Sequence, residues 1–530
     1  MAMTTMPDVK RVPGGTLWSN TYNLFTARVY TPENDLPGQV INLGFKAPCL
    51  TVLEEKPMSE EEIIAFAEET GLKRLAASFD SSVIFIAPVS GDWEKENEEL
   101  YKELIAETKI GPFYKDGVLI QKNFFRPVPD TYFIRGAIFR VCLFGKGKAA
   151  DWAAKHLMKT VNGEYLWGPG EITPSALCLE GLSVIPAPER DDIAVISLGN
   201  SEKVNEALRA SCKYLLEKEE SRDYEADWRG FTVRFKRWCG VIDEEPEFDT
   251  NGVIEEYGLE EITTSPENTG RYQGTETHPV GYFAYYNKGL LEKGPLPTVI
   301  TFHGGGDSAL HIAHVSGWWR VAAKYNFLSI CVENHMDVTA TEAVELVEKL
   351  KKKYPIDTTR LYATGFSMGG CKTWDLYQEY PGLFAALAPM DATFDVGLNM
   401  FGAKAPRLNR DTPVPVFYAG GEETPLPELP FQADKCTDRM AYVFEVNKIR
   451  TPYDVKFDAQ EKWENRIWGV NGDSTEKIYD ESRDAILTLH RFKDTEGKEM
   501  LALASISPQG HECRQHTCEQ AWLFMSRYHR

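Results

Sequence analysis

Short β-branched and aromatic runs bounded by Gly and Pro alternate along this chain with longer segments whose apolar positions recur every three to four residues. That alternation predicts strand, helix, strand, helix: a mostly parallel sheet with helices on its faces. In the C-terminal half the order is a strand from Pro297 to Phe302, a helix from Gly317, a strand from Leu328 to Glu333, a helix from about Ala340 to Lys353, and a strand from Arg360 into a glycine-rich turn at Ser367. The N-terminal half runs in parallel: strand Gln39 to Phe45, helix Ser59 to Gly71, strand Val83 to Ala87, helix Glu94 to Glu107, and an apolar run from Arg140 to Gly147. Seven residues separate Arg140 from Gly147, as they separate Arg360 from Ser367, and the later run Ile193 to Gly199 matches Val414 to Gly420. The two halves therefore read as a divergent tandem duplication, by pattern and not by identity. Lys109 to Pro129 is extra in the first copy and reads as a hairpin. Acidic and turn-rich sequence between about Trp238 and Gly270 marks the crossing, so the expected units are residues 1–240 and 241–530, both of α/β class.

Composition narrows the function classes. The 530 residues are 43% hydrophobic and 26% charged, ordinary for a globular protein, with ample chain for two cores. With 58 basic and 79 acidic residues the net charge is −21, which repels phosphate backbones and anionic membrane surfaces and argues against nucleic-acid or membrane partners. No stretch approaches the ~18 apolar residues of a spanning helix. Met1 to Gly15 carries Lys10 and Arg11 but no apolar segment after them, so no secretory signal is expected. Ten scattered cysteines with no CxxC pair resemble buried free thiols of a reducing compartment, and a cytoplasmic location is expected; Cys513 and Cys518 would bridge only in an exported protein. A homo-oligomeric state is compatible with all of this.

The chemistry concentrates in the second half. Gly365-Phe366-Ser367-Met368-Gly369-Gly370 joins an apolar strand to a helical segment. This is the context in which GxSxG forms a nucleophile elbow, the small residues letting strand and helix approach closely. His303-Gly304-Gly305-Gly306 leaves an earlier strand, 64 residues before Ser367. Such a glycine run lets main-chain N–H groups reach a developing oxyanion; the donors are Met368 and either Gly304 or Gly305. Of ten histidines, His511 is favoured as base, because Pro508-Gln509-Gly510-His511 leaves the last strand in the expected order of nucleophile, acid, histidine; His516 is the spare. The acid is expected after the strand Val414 to Tyr418, where Glu423 is favoured, Glu422 second and Asp391 third.

The stretches Tyr354 to Gly370 and Tyr380 to Pro389 resemble the polyhydroxybutyrate depolymerase-like and feruloyl-esterase-like branch of the α/β-hydrolase superfamily, over roughly Gly281 to Arg530. The resemblance implies, in the second unit, hydrolysis of a small-molecule carboxylic ester by Ser, His and an acid without a cofactor; with the duplicated pattern, two tandem α/β-hydrolase-like domains are expected. The family usually has Asp where Glu423 stands here, and its secreted depolymerases carry export signals. A serine peptidase for small peptides and a non-enzymatic scaffold are the rival classes, since amide and ester cleavage share the constellation.

The first copy reads Gly145-Lys146-Gly147-Lys148-Ala149 at the elbow, with Gly147 at the nucleophile position and no HGGG after its first strand. It is expected to be non-catalytic. A dinucleotide fingerprint, GxGxxA with Glu164 downstream, is disfavoured because it follows a late strand. His303, His311 and His314 have no carboxylate at ligand spacing in the sequence, so no metal site is expected. Trp318, Trp319 and the segment Trp463 to Trp468 are candidates to line a pocket, with core packing the commoner use of such residues.

Overall fold

The computed structural model describes residues 9–34, 41, 46–106, 112–115, 118–122, 139–165, 168–238, 241–244, 252–305, 307–455 and 467–530. Two compact units divide the chain, Met1–Glu247 and Phe248–Arg530.

The second unit is built on a ten-stranded sheet. Across it lie Val253–Thr263, Thr277–Asn287, Leu328–Val332, Leu296–Phe302, Ile356–Phe366, Ala386–Met390, Val416–Gly421, Glu499–Ser507, Ala485–Lys493 and Ser474–Asp480. The first two strands pair antiparallel, the second is antiparallel to Leu328–Val332, and the run from there to Glu499–Ser507 is parallel. Two antiparallel strands finish the edge. Central strands such as Leu328–Val332 and Ala386–Met390 are buried at every residue, as continuous apolar runs must be when helices cover both faces. Helix Ala340–Lys353 starts at a capping box of Thr339 and Glu342 and ends on three lysines that complement its dipole.

The first unit has nine strands in the order Val9–Val12, Gly15–Thr21, Phe25–Pro32, Val83–Pro88, Cys49–Leu53, Val141–Lys146, Ala176–Glu180, Ala194–Leu198 and Leu215–Lys218. Setting aside its first strand and the last two of the other sheet, both sheets follow one order: strand one, two, four, three, five, six, seven, eight. The second strand is antiparallel in each. Alternation along the strands serves two cores. Ile84 and Ile86 pack on one side, Val83 and Phe85 on the other.

Two local expectations shift, and a third holds. Cys49–Leu53 takes the third position of the first sheet, pairing with Val83–Pro88 and Val141–Lys146; the expected strand Gln39 to Phe45 falls, Ile41 apart, outside the described residues. The helix expected over Glu94 to Glu107 divides into a 3-10 turn, Trp93–Lys95, and a shorter helix, Glu98–Leu104, capped by Asn97. Within Lys109 to Pro129, Pro112–Lys115 and Val118–Lys122 pair antiparallel.

Candidate active site

Ser367 stands between the fifth strand of the second sheet, Ile356–Phe366, and helix Met368–Glu379. Its backbone is at φ 54°, ψ −119°, a region that costs a non-glycine residue about 1–3 kcal/mol. Three close approaches hold it there. A Cβ on Gly365 would run into the main chain of Gly369; one on Gly369 would meet Phe302 O and lie 2.7 Å from His303 O; one on Gly370 would lie 2.7 Å from Met390 O. Ser367 N–H donates to Met390 O (3.0 Å), and its own carbonyl accepts from Cys371 N–H (2.9 Å). Phe366, Ser367 and Met368 are half-buried.

Met368 is the first residue of the helix, where N–H groups have no intrahelical acceptor. The glycine loop packs against this turn: a Cβ on Gly305 would lie 3.2 Å from Met368 Cγ, and one on Gly304 3.2 Å from the Phe366 ring. The structure thus brings Ser367, Met368, Gly304 and Gly305 together; Gly306 lies outside the described residues. The loop's start is fixed by His335, whose Nε2 is 2.6 Å from His303 O, while His303 Nδ1 is 2.7 Å from Gly304 O. His335 sits in a 3-10 turn after Leu328–Val332, and the sequence carries no motif that would single it out.

His511 follows strand Glu499–Ser507 and packs its ring on Phe366, centroids 4.6 Å apart. Its Nδ1 lies 3.0 and 3.1 Å from the two carboxylate oxygens of Glu428. The carboxylate at His511 Nδ1 is thus Glu428, not Glu423 or Glu422, the two first expected. Glu423 is exposed, its N–H donating to Gln509 O (2.9 Å), and Glu422 accepts from Ser505 Oγ (2.7 Å). Glu428 is held by Thr424 Oγ1, which donates to its Oε2 (2.8 Å), and by its own N–H, which donates to Gln432 Oε1 (2.9 Å).

Asp391 also belongs here. It ends the sixth strand at φ 43°, takes Gly421 N–H on Oδ1 (3.0 Å), and faces Glu428. One ligand atom each of Asp391, Glu428 and His511 lies within 4.8 Å of the others. Burial, and then the adjacent Glu428 charge, push the Asp391 carboxyl well above its usual range against the opposing pull of the Gly421 N–H. Two buried carboxyls this close disfavour ionising together. Asp307, a further buried carboxylate and no part of any motif, lies 3.1 Å from His311 Nδ1. Burial would raise it, but His311 first, then His303 and His511, hold it below the usual range. Carboxylates therefore do meet the histidines thought to lack them: Asp307 at His311, and Glu255 at His314 (3.6 Å). Trp318, Trp319 and Trp468 are buried, and Trp463 lies outside the described residues. Cys513 and Cys518, just beyond His511, are free thiols with sulfurs 3.6 Å apart.

No protein-family profile matches the chain. A bifunctional acetylxylan esterase/xylanase from Neocallimastix patriciarum is 41% identical over 78 residues, 14% of this chain, so the chain spans only 10% of that relative's length. Among solved structures, an acetyl xylan esterase from Aspergillus awamori aligns at 13% identity and a TM-score of 0.31, covering 51% of this chain and 98% of its own. A mutant feruloyl esterase module from Clostridium thermocellum, complexed with sinapinate, aligns at 13% identity and 0.30, covering 52% and 88%. The strand order repeated in both sheets, with a sharp strand-to-helix turn after the fifth strand, is that of the α/β-hydrolase fold.

Proposed function

We propose that the C-terminal unit hydrolyses carboxylic esters through an acyl-enzyme on Ser367. His511 is the general base, Glu428 the orienting acid, and main-chain N–H groups of Met368 and of Gly304 or Gly305 form the oxyanion hole. The observation that carries this reading is the strained Ser367 backbone beside a histidine whose Nδ1 is held by a buried carboxylate. With Nδ1 turned to Glu428, Nε2 is the nitrogen left to take the Ser367 proton. Ser367 Oγ then bonds to the ester carbonyl carbon, and the tetrahedral oxyanion collapses as His511 returns the proton to the leaving alcohol. Water, deprotonated by His511, cleaves the acyl-enzyme, and Ser367 is regenerated. Glu428 stabilises the imidazolium at each of these steps, with the Asp391 carboxyl beside the pair. Each oxyanion donor is worth about 10²–10³ in rate.

The acetyl group named for the short curated match is the first acyl group to test. A fluorophosphonate probe should label Ser367 in folded protein, and p-nitrophenyl acetate should be turned over by wild type but not by Ser367→Ala. Absence of an adduct on Ser367 would remove the enzyme reading. Turnover of aminoacyl anilides in preference to esters would move the activity to peptides.

A further inference from the structure

The N-terminal unit keeps the elbow without a nucleophile. Gly147 stands at φ 54°, ψ −125°, nearly the Ser367 conformation, between strand Val141–Lys146 and helix Lys148–Leu157. The space a Cβ would fill is occupied by the Glu55 carboxylate. Beside this turn, at the carboxyl ends of Cys49–Leu53, Val141–Lys146 and Ala176–Glu180, lies a cavity of about 300 Å³. That is where open α/β sheets bind ligands, and the volume is at the small end of the range for small-molecule sites.

The lining combines two kinds of surface. Phe66, Phe144 and Tyr224 form a contiguous aromatic wall, with centroids 4.4 Å apart for Phe144 and Tyr224 and 6.2 Å for Phe66 and Tyr224. The polar part is charged but balanced. Glu180 takes two 2.7 Å bonds from Arg222 and lies 3.1 Å from Lys146; Glu54 pairs with Arg28 and takes Met58 N–H (2.8 Å) on Oε2. Counting Arg28, four carboxylates stand against four cationic side chains, so the cavity selects no ion of either sign. One polar atom is left over. The Glu54 side chain is fully buried, and its Oε1 has no hydrogen-bond partner among the described residues. A buried carboxylate oxygen in that state calls for a donor from outside.

A fitting ligand is neutral, offers hydroxyl donors to Glu54 Oε1 and acceptors to Lys146 and Arg222, and lays a C–H face on the aromatic wall. We propose that this cavity binds a polyhydroxylated ring, a ligand of sugar type, and holds it without turnover because Gly147 supplies no nucleophile.

The test uses full-length Ser367→Ala protein, titrated calorimetrically with D-glucose, D-xylose and myo-inositol, and with 2-phenylethylammonium and inorganic phosphate as charged probes. At least one ring polyol should bind saturably, about tenfold more weakly to Glu54→Gln, the effect of losing one hydrogen bond to a charged group. Phe66→Ala and Lys146→Met, whose side chains are partly exposed, should weaken it too, and they decide the matter if Glu54→Gln does not fold. Saturable binding of neither ring polyol nor inositol, polyol binding unchanged in Phe66→Ala and Lys146→Met, or a preference for the ammonium or phosphate probe would each overturn the proposal.

Discussion

Replacing Glu428 by Gln is the sharpest test of how the second site works, because it separates a carboxylate reached only through the fold from one suggested by chain order. Gln keeps the volume and removes the charge. Glu428 is 3.0 Å from His511 Nδ1, with side-chain exposures of 7% and 22%. At that distance and an effective dielectric constant of about 20, a carboxylate favours the imidazolium by about 5.5 kcal/mol. At about 1.4 kcal/mol per tenfold, that is about four powers of ten in kcat, the size of loss that carboxamide replacement causes in a serine-protease triad, about 10⁴. Glu423→Gln, at an exposed side chain, should change kcat by no more than about twofold. The Glu428→Gln loss should also vary with pH. With the Glu428 charge gone, one of the causes that raise the Asp391 carboxyl is lost, so Asp391 ionises at lower pH than in wild type. Its carboxylate is close enough to His511 to replace part of the lost field. Activity of Glu428→Gln should therefore climb with pH more steeply than that of the double variant with Asp391→Asn. Steady-state hydrolysis of p-nitrophenyl acetate across a pH series measures all four proteins. Glu428→Gln within about threefold of wild type, or Glu423→Gln down by about 10³, would refute the assignment.

Gly369→Ala puts a methyl group against Phe302 O and 2.7 Å from His303 O, and should lower stability by about 1–3 kcal/mol in urea unfolding; an unchanged midpoint would show that the strand and elbow helix are less tightly apposed. Asp391→Asn tests the carboxyl pair through stability. A folded-state pKa raised above the unfolded value means that, as pH rises above the usual carboxyl range near ~4, the unfolded chain gives up its proton first and wild type loses stability. Asn cannot ionise, so its urea midpoint should gain on wild type as pH increases, and a difference constant with pH would refute the raised pKa. Dialysis against a chelator should leave ester hydrolysis unchanged; a loss restored by a divalent cation would instead make Asp391, Glu428 and His511 a metal site.

The elbow, the glycine loop and the histidine were legible because each follows a strand at once and carries a local pattern. The carboxylate that meets His511 was not, for a reason visible in the ladder. Val416–Gly421 pairs with Glu499–Ser507 in parallel register, and the pairing runs on past its end: Glu422 N–H donates to Ile506 O (2.9 Å) and Glu423 N–H to Gln509 O (2.9 Å). Glu422 and Glu423 are thus continuations of a strand, one turned to Ser505 and the other to solvent. The chain must pass Pro425 and Pro427 before a carboxylate can turn back toward His511, and the bonds that turn it come from Thr424 and Gln432. In the first unit, Gln39 to Phe45 and Cys49–Leu53 look equally strand-like; only pairing with Val83–Pro88 and Val141–Lys146, distant in sequence, marks the second as the sheet's third strand.

The same contrast explains what became of the two elbows. Gly147 and Ser367 share a backbone conformation to within a few degrees, but it is strained only where a side chain is present. In the first unit the turn persists without strain and without a side chain. In the second the strain at Ser367 is maintained by the close-packed glycines 365, 369 and 370, which leave the helix no room to relax away from the strand. A non-glycine residue held there at a cost, beside a histidine with a buried carboxylate partner, is what a nucleophile requires and what core packing alone would not retain.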